Sequence, residues 1–249
     1  MRITKSNILL GKTPTVTVGS SSDDPANVTD PDFSTHYTSS TSSGISFSFG
    51  AVSDIDYVAI AGVNIADNNG FNASATVLDG SSTVGVNTLI RNNCILISFD
   101  ERSFSSLAVS LSNAGGQLPT VSFIAAGKSF EVPNNGEVAG YNRQFLNRNF
   151  ISKNSINNLS APTSYLKKKQ PAKGSLSLPS MTKAFSEGEY QEFLDFAVDN
   201  YFFIREQDNL VENSSAYLCY DLTRNQVTAH PQTRSLNNIS FSFSVFNGL

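Results

Sequence analysis

Four aspartates crowd one short segment, Asp23, Asp24, Asp30 and Asp32, with His36 and Tyr37 just downstream. Carboxylates at this density could supply the oxygen ligands of a loop-bound calcium ion. Aspartates between turn residues also hydrogen-bond their own backbone in Asx-turns, and that is the reading favoured for these four. A second chemistry open to the same stretch is sugar recognition, with Asp30, His36 and Tyr37 as candidate glycan contacts and the loops 20–37 and 64–71 as the grip. Phe33, Tyr37, Phe71 and Phe104 would suit a stacking platform. In a chain with 18 Phe and no Trp, however, most aromatics must fill the core.

Signals for catalysis are missing. The two histidines, His36 and His230, do not sit beside cysteine or carboxylate at metal-ligand spacing. No Gly-x-Ser-x-Gly elbow and no glycine-rich phosphate loop occurs, and nothing singles out a pair of acids for glycoside hydrolysis. The expectation is a non-enzyme with no cofactor and no metal. A net charge of -4 offers no basic surface to release counterions from nucleic acid, which excludes that partner. No stretch approaches the ~20 apolar residues of a membrane-spanning helix, so no membrane insertion is expected. The apolar run near Met1 is too short for a signal peptide, and Cys94 and Cys219 read as buried free thiols, which together point to folding in a cytoplasm.

The elements that must position these residues are mainly strands. At 249 residues, 39% hydrophobic and 15% charged, the chain can bury a core without disulfides or metals. Short apolar segments separated by turn residues predict strands at Thr15–Val18, Ile45–Phe49, Tyr57–Ala61, Ala73–Val77, Cys94–Phe99, Ser106–Leu111 and Thr120–Ala125, a β-sandwich over 1–130. Residues 131–173, rich in Asn and Ser and ending in Lys167-Lys168-Lys169, read as a connector or arm. The last unit, 174–249, carries one helix over 187–200, introduced by a capping box at Ser186 and Glu189. An apolar stripe follows through Tyr190, Phe193, Leu194, Ala197 and Val198. Strands at Ser175–Leu178, Tyr201–Arg205, Ala216–Asp221, Gln226–Ala229 and Ile239–Val245 give it a sheet, with residues 1–12 as a candidate additional strand. Tyr201-Phe202-Phe203-Ile204 is too apolar to be exposed on both faces and is either a central strand or part of a subunit interface.

Two resemblances follow from these residues. Residues 13–61 resemble the opening of a discoidin-like, or galactose-binding-like, jelly roll: a Ser-rich strand, then Ala26, Asp30, Asp32, Thr35 and Tyr37 in the family's loop pattern, then a strand ending at Gly50. Where that family usually has Trp and Asp-Leu-Gly, this chain has Tyr37 and Ser48-Phe49-Gly50. The order of parts is similar to distal-tail or minor tail proteins of tailed bacteriophages, in which one β-rich domain builds a ring and a second sandwich decorates it. That similarity rests on Ile124-Ala125-Ala126-Gly127-Lys128, the polar connector, the capped helix and the strands at 201–204, 217–220 and 239–243. It implies a structural protein of the virion tail, assembled in the host cytoplasm. The partners would be a homo-oligomeric ring and other phage tail proteins, with Tyr201, Phe202, Phe203 and Ile204 as the candidate oligomer interface. The alternative is a carbohydrate-binding host-adhesion module whose partner is a host surface glycan.

Overall fold

Apolar runs that do not alternate mark strands buried on both faces. Two such runs, Tyr57 to Ala61 and Phe123 to Gly127, have every residue buried, and the architecture follows from them. The computed structural model describes residues 1–64, 74–87, 94–112, 118–133, 150–156, 162–169, 172–205, 216–230, 233 and 235–246. In chain order the strands begin with β1 (Arg2–Thr4), β2 (Thr15–Val18), β3 (Tyr37–Thr38), β4 (Gly44–Ala61), β5 (Ser74–Asp79) and β6 (Ser82–Asn87). There follow β7 (Cys94–Ser112), β8 (Thr120–Val121), β9 (Phe123–Gly127), β10 (Ser129–Glu131), β11 (Phe150–Ile156), β12 (Pro162–Lys169) and β13 (Ala172–Thr182). Two helices, α1 (Lys183–Glu187) and α2 (Glu189–Ala197), precede β14 (Phe202–Arg205), β15 (Ala216–Ala229) and β16 (Leu236–Val245). The protein is mainly β.

The strands expected at 45–49 and 57–61 are one 18-residue strand, and those at 94–99 and 106–111 are one 19-residue strand. Register shifts between Ser48 and Tyr57 bend this antiparallel pair, so that its two halves serve different layers. One half joins β2, β5 and β6; the other joins β9. Ile45, Phe47, Val109 and Leu111 from the first half share a core with Val58, Ile60, Ile95 and Ile124 from the second, which makes the N-terminal β-sandwich.

The opposite face of the second layer, Tyr57, Ala59, Ala61, Leu96, Phe123 and Ala125, packs on Phe203, Ala216 and Leu218. Those three belong to a six-stranded sheet ordered β10-β1-β14-β15-β16-β13. Alternation then sends Phe202, Ile204, Tyr217 and Cys219 to that sheet's far side, where Tyr190, Phe193 and Ala197 of α2 cover them. Cys94 and Cys219 are buried free thiols, pushed up by burial.

The N-terminus stitches the layers. β1 lies between β10 and β14, with Ile3 opposite both Phe130 and Ile204. Beyond it, Lys5 N–H donates to Lys128 O and Ile8 N–H to Ala126 O, both at 2.8 Å. Gly127 is required here, because a Cβ at that position would lie 2.5 Å from the Ser6 carbonyl oxygen. Lys5 then reaches α2, bridging Glu189 and, at 2.6 Å, Glu192.

Several expectations need correcting. The strand at 201–204 is central: Phe202, Phe203 and Ile204 are buried inside this chain, which leaves no apolar surface there for a neighbouring copy. The capping box at Ser186 does not form, since the Ser186 hydroxyl donates to Thr182 O. The helix start lies earlier, where Thr182 Oγ1 accepts from Phe185 N–H. Gly188 breaks the helix in two, and Val198 is 67% exposed rather than part of the apolar stripe. The segment read as a connector contains the antiparallel hairpin β11–β12, and the strands expected at 216–221 and 226–229 are one strand, β15.

Two outcomes follow. Phe203→Ala should cost about 3–5 kcal/mol and lower the urea midpoint of the whole chain in one transition, because the residue sits between two sheets. Burial pulls the Lys5 ammonium down, but hydrogen bonds and charge from Glu189 and Glu192 outweigh it and leave its pKa raised. A raised folded-state value means that the bridge contributes fully below the ordinary lysine value and is lost as pH climbs through the raised one. The advantage of the wild type over Lys5→Met in thermal melts should therefore shrink once pH passes about 10.5.

Candidate functional site

Where the sandwich loop meets the end of α2 and the middle of β15, an open cleft of ≈ 470 Å³ forms, lined by Asp30, Pro31, Asp32, Ala197, Val198, Asp199, Asn200, Tyr201, Tyr220 and Asp221. Three chain segments build it, and each is held by its own local chemistry. Asp30 Oδ1 accepts from Asp32 N–H at 3.0 Å and Asp32 Oδ1 from Ser34 N–H at 2.9 Å, two successive Asx-turns that fix the loop. Val198 N–H closes α2 on Leu194 O, and Asn200 Nδ2 donates to Phe196 O at 2.9 Å, which ends the helix and turns the chain into Tyr201. In β15 the register shifts between Tyr220 and Arg224, and Asp221 takes φ 55. A bulge of this kind re-aims side chains, and a left-handed non-glycine residue is a strained feature of the sort that accumulates at binding sites.

Aromatic packing joins the walls. Phe33 meets Tyr201 edge-on at 4.9 Å and Phe123 at 5.5 Å, while Tyr201 meets Tyr220 at 6.0 Å. Among the described residues, four aspartates and no Lys, Arg or His line the cleft. Hydrogen bonds from Ser34 hold the Asp32 carboxyl below the usual carboxylate range. Burial raises the phenols of Tyr201 and Tyr220, Tyr201 further by the charge of Asp32 and Tyr220 by Tyr201 and Asp221, so both stay protonated donors. The cleft therefore offers negative acceptors, one amide and two phenol groups. A general acid needs the opposite environment to that of Asp32, namely burial that keeps its proton on.

Of the residues singled out in the sequence, Asp30 and Asp32 line the cleft, and Tyr201 joins them from just before β14, the segment read as either a central strand or an interface. His36 is exposed and lies outside the cleft lining; its carbonyl accepts from Asn27 Nδ2. Tyr37 is buried, stacked edge-on against Phe47, with its hydroxyl donating to Gly19 O at 3.3 Å, so it braces the loop and cannot touch a ligand. Phe104 is buried in the sandwich core, and Phe71 and most of the 64–71 loop lie outside the described residues. Asp24 Oδ1 accepts from Ala26 N–H, as the Asx reading expects, whereas Asp23 departs from it: its Oδ2 accepts from Thr38 N–H, fifteen residues on, and pins the loop to β3. Among the described residues no group of three or more His, Cys, Asp or Glu is placed to hold a metal ion. Asp199, Asn200, Tyr220 and Asp221 escaped the sequence reading, because helix-end and mid-strand residues carry no signal of a shared cleft.

No known family profile matches the chain. No curated protein matches it either. Solved structures do align with about half of it. Chitosan-binding module 1 from a chitosanase/glucanase of Paenibacillus sp. IK-5 aligns at TM-score 0.39 and 14% identity, covering 49% of this chain and 99% of the module. A fucose binding module of Streptococcus pneumoniae aligns at 0.37 and 13%, covering 49% and 94%. A GH29 fucosidase of Ruminococcus gnavus in complex with fucose aligns at 0.40 and 16%, covering 51% of this chain and 27% of the fucosidase.

The strained position gives a direct check on the cleft's wall. Asp221→Val should cost about 1–2 kcal/mol in urea unfolding, whereas Asp221→Gly should not destabilise, because a β-branched side chain adds to the conflict of Cβ with the left-handed backbone and glycine removes it.

Proposed function

We propose that the protein is a non-catalytic carbohydrate-binding protein whose glycan site is the cleft between the sandwich loop, the end of α2 and β15. The observation that carries this is the pairing of the Tyr201 and Tyr220 aromatic groups with the carboxylates of Asp30, Asp32, Asp199 and Asp221 in one open cleft. Sugars present apolar C–H faces and a rim of hydroxyl donors, so aromatic surface and fixed acceptors are the complementary set. A volume of ≈ 470 Å³ is in the range of small-ligand sites. The four carboxylates among the described lining residues set the preference: neutral and amine-bearing sugars are accepted, and carboxylated or sulfated ones are repelled.

A second reading is a structural component of a bacteriophage tail working in an oligomeric ring, and one observation bears on its assembly alone. Among the described residues the β11–β12 hairpin pairs with no third strand, and such a hairpin is marginal in water. The two readings are compatible, since a tail ring can carry a glycan-binding module.

A glycan array spanning neutral, amine-bearing and anionic oligosaccharides tests the first reading. Binding should be confined to the first two classes. Tyr201→Phe, which keeps the packing on Phe33 but removes the hydroxyl, should weaken it by about tenfold, the worth of one hydrogen bond. Binding that is indifferent to Asp199→Asn, Asp221→Asn and Tyr201→Phe alike would rule the cleft out.

A further inference from the structure

The cleft carries a charge that its own walls do not balance. Asp30 and Asp32 reach it from the sandwich loop, Asp199 from the end of α2 and Asp221 from β15, with no cation among the described lining residues. Hydrogen bonds from Ser34 keep Asp32 ionised. The helix adds to the same sign, because Ala197, Val198 and Asn200 line the cleft at the carboxyl end of the nine-residue α2, where the macrodipole is negative. A neutral occupant would strip water from these carboxylates and return no charge in exchange.

The placement of the carboxylates decides which kind of cation fits. Among the described residues no three of His, Cys, Asp or Glu converge closely enough to hold a metal ion, so the charges are spread over three walls rather than gathered at a point. That spread suits an organic ligand with amines at separate positions. The cleft is also partly apolar: Val198, 67% exposed, lines it together with Tyr201 and Tyr220, whose ring faces attract cations as well as C–H surface. We infer that the occupant is an oligosaccharide of amino sugars bound as its ammonium form, with amines on different sugar units paired to the carboxylates of the sandwich loop and to those of Asp199 and Asp221. This rests on the glycan reading of the cleft and adds to it the charge that the sugar must carry. N-acetylation, which keeps the ring and removes the charge, is then the modification the site selects against. A basic peptide offers the same charges but carries each on a flexible stem that must be immobilised, whereas a sugar amine is fixed directly to a rigid ring.

Calorimetric titration of the full-length chain at low salt, with a glucosamine tetrasaccharide, its fully N-acetylated counterpart and a lysine tetrapeptide as probes, tests this. The amine form should bind about tenfold more tightly than the N-acetylated form, the worth of two exposed ion pairs, and about tenfold more tightly than the peptide. Asp199→Asn combined with Asp221→Asn keeps side-chain size and removes charge, and should erase most of the amine form's advantage. An unchanged urea midpoint shows that this variant folds. Equal affinity for the two sugars, both weakened by Tyr201→Phe, would overturn the charge requirement and leave the glycan reading standing. An advantage of the amine form that survives the double substitution would overturn the role of these carboxylates. Peptide binding as tight as that of the amine sugar would overturn the choice of sugar, since the cleft would then read charge alone. Binding of neither sugar would overturn the glycan reading together with this inference.

Discussion

The structure depends on one sheet layer being buried on both faces. The second halves of β4 and β7, with β9, have no solvent side: Val58, Ile60, Ile95 and Ile124 face the sandwich interior, and Tyr57, Ala59, Ala61, Leu96 and Ala125 face the six-stranded sheet. Small residues on the second face let the two sheets approach, and Phe123, Phe203 and Leu218 fill the space they leave. Phe123 and Phe203 lie nearly parallel, at an interplanar angle of 5°. Close packing of this kind makes the halves of the chain one mechanical object. It also explains why the N-terminal residues run where they do, with β1 in the six-stranded sheet and Lys5 to Ile8 along the sandwich.

The cleft is a consequence of that seam. Three short segments meet at its margin because the layers meet there, and the Phe33, Tyr201 and Phe123 rings are the joint. Tyr220 and Asp221 are turned toward it by the bulge in β15, and the loop at 30–32 is stiffened by its Asx-turns before any ligand arrives. Fixing polar groups in advance lowers the ordering cost of binding.

Much of this was legible in the residues. Short apolar segments between turn residues locate the strands and a sandwich, and the Asp-rich loop does spend Asp24, Asp30 and Asp32 on local backbone hydrogen bonds. The relation between the halves was not legible in the same way. Phe202, Phe203 and Ile204 read alike as core and as interface, because apolarity reports burial and not what does the burying. Their partners, Ile3 and Leu218, are distant in sequence. Tyr37 looked like a ligand contact for the same reason: an aromatic beside aspartates is chemically apt, and only its packing on Phe47 shows that it is spent on structure. Strand continuity was missed at Gly50 to Asp56 because bulges admit the Gly and Asp residues that otherwise signal a turn.

A glycan held as proposed would touch the sandwich loop and the C-terminal sheet at once. Amide chemical-shift mapping during titration with a glucosamine oligosaccharide tests it most directly. Shifts are expected at Asp30 and Asp32 together with Asn200, Tyr201, Tyr220 and Asp221, saturating along one curve. Shifts confined to the sandwich loops around His36, or none at concentrations that saturate a small-ligand site, would contradict it.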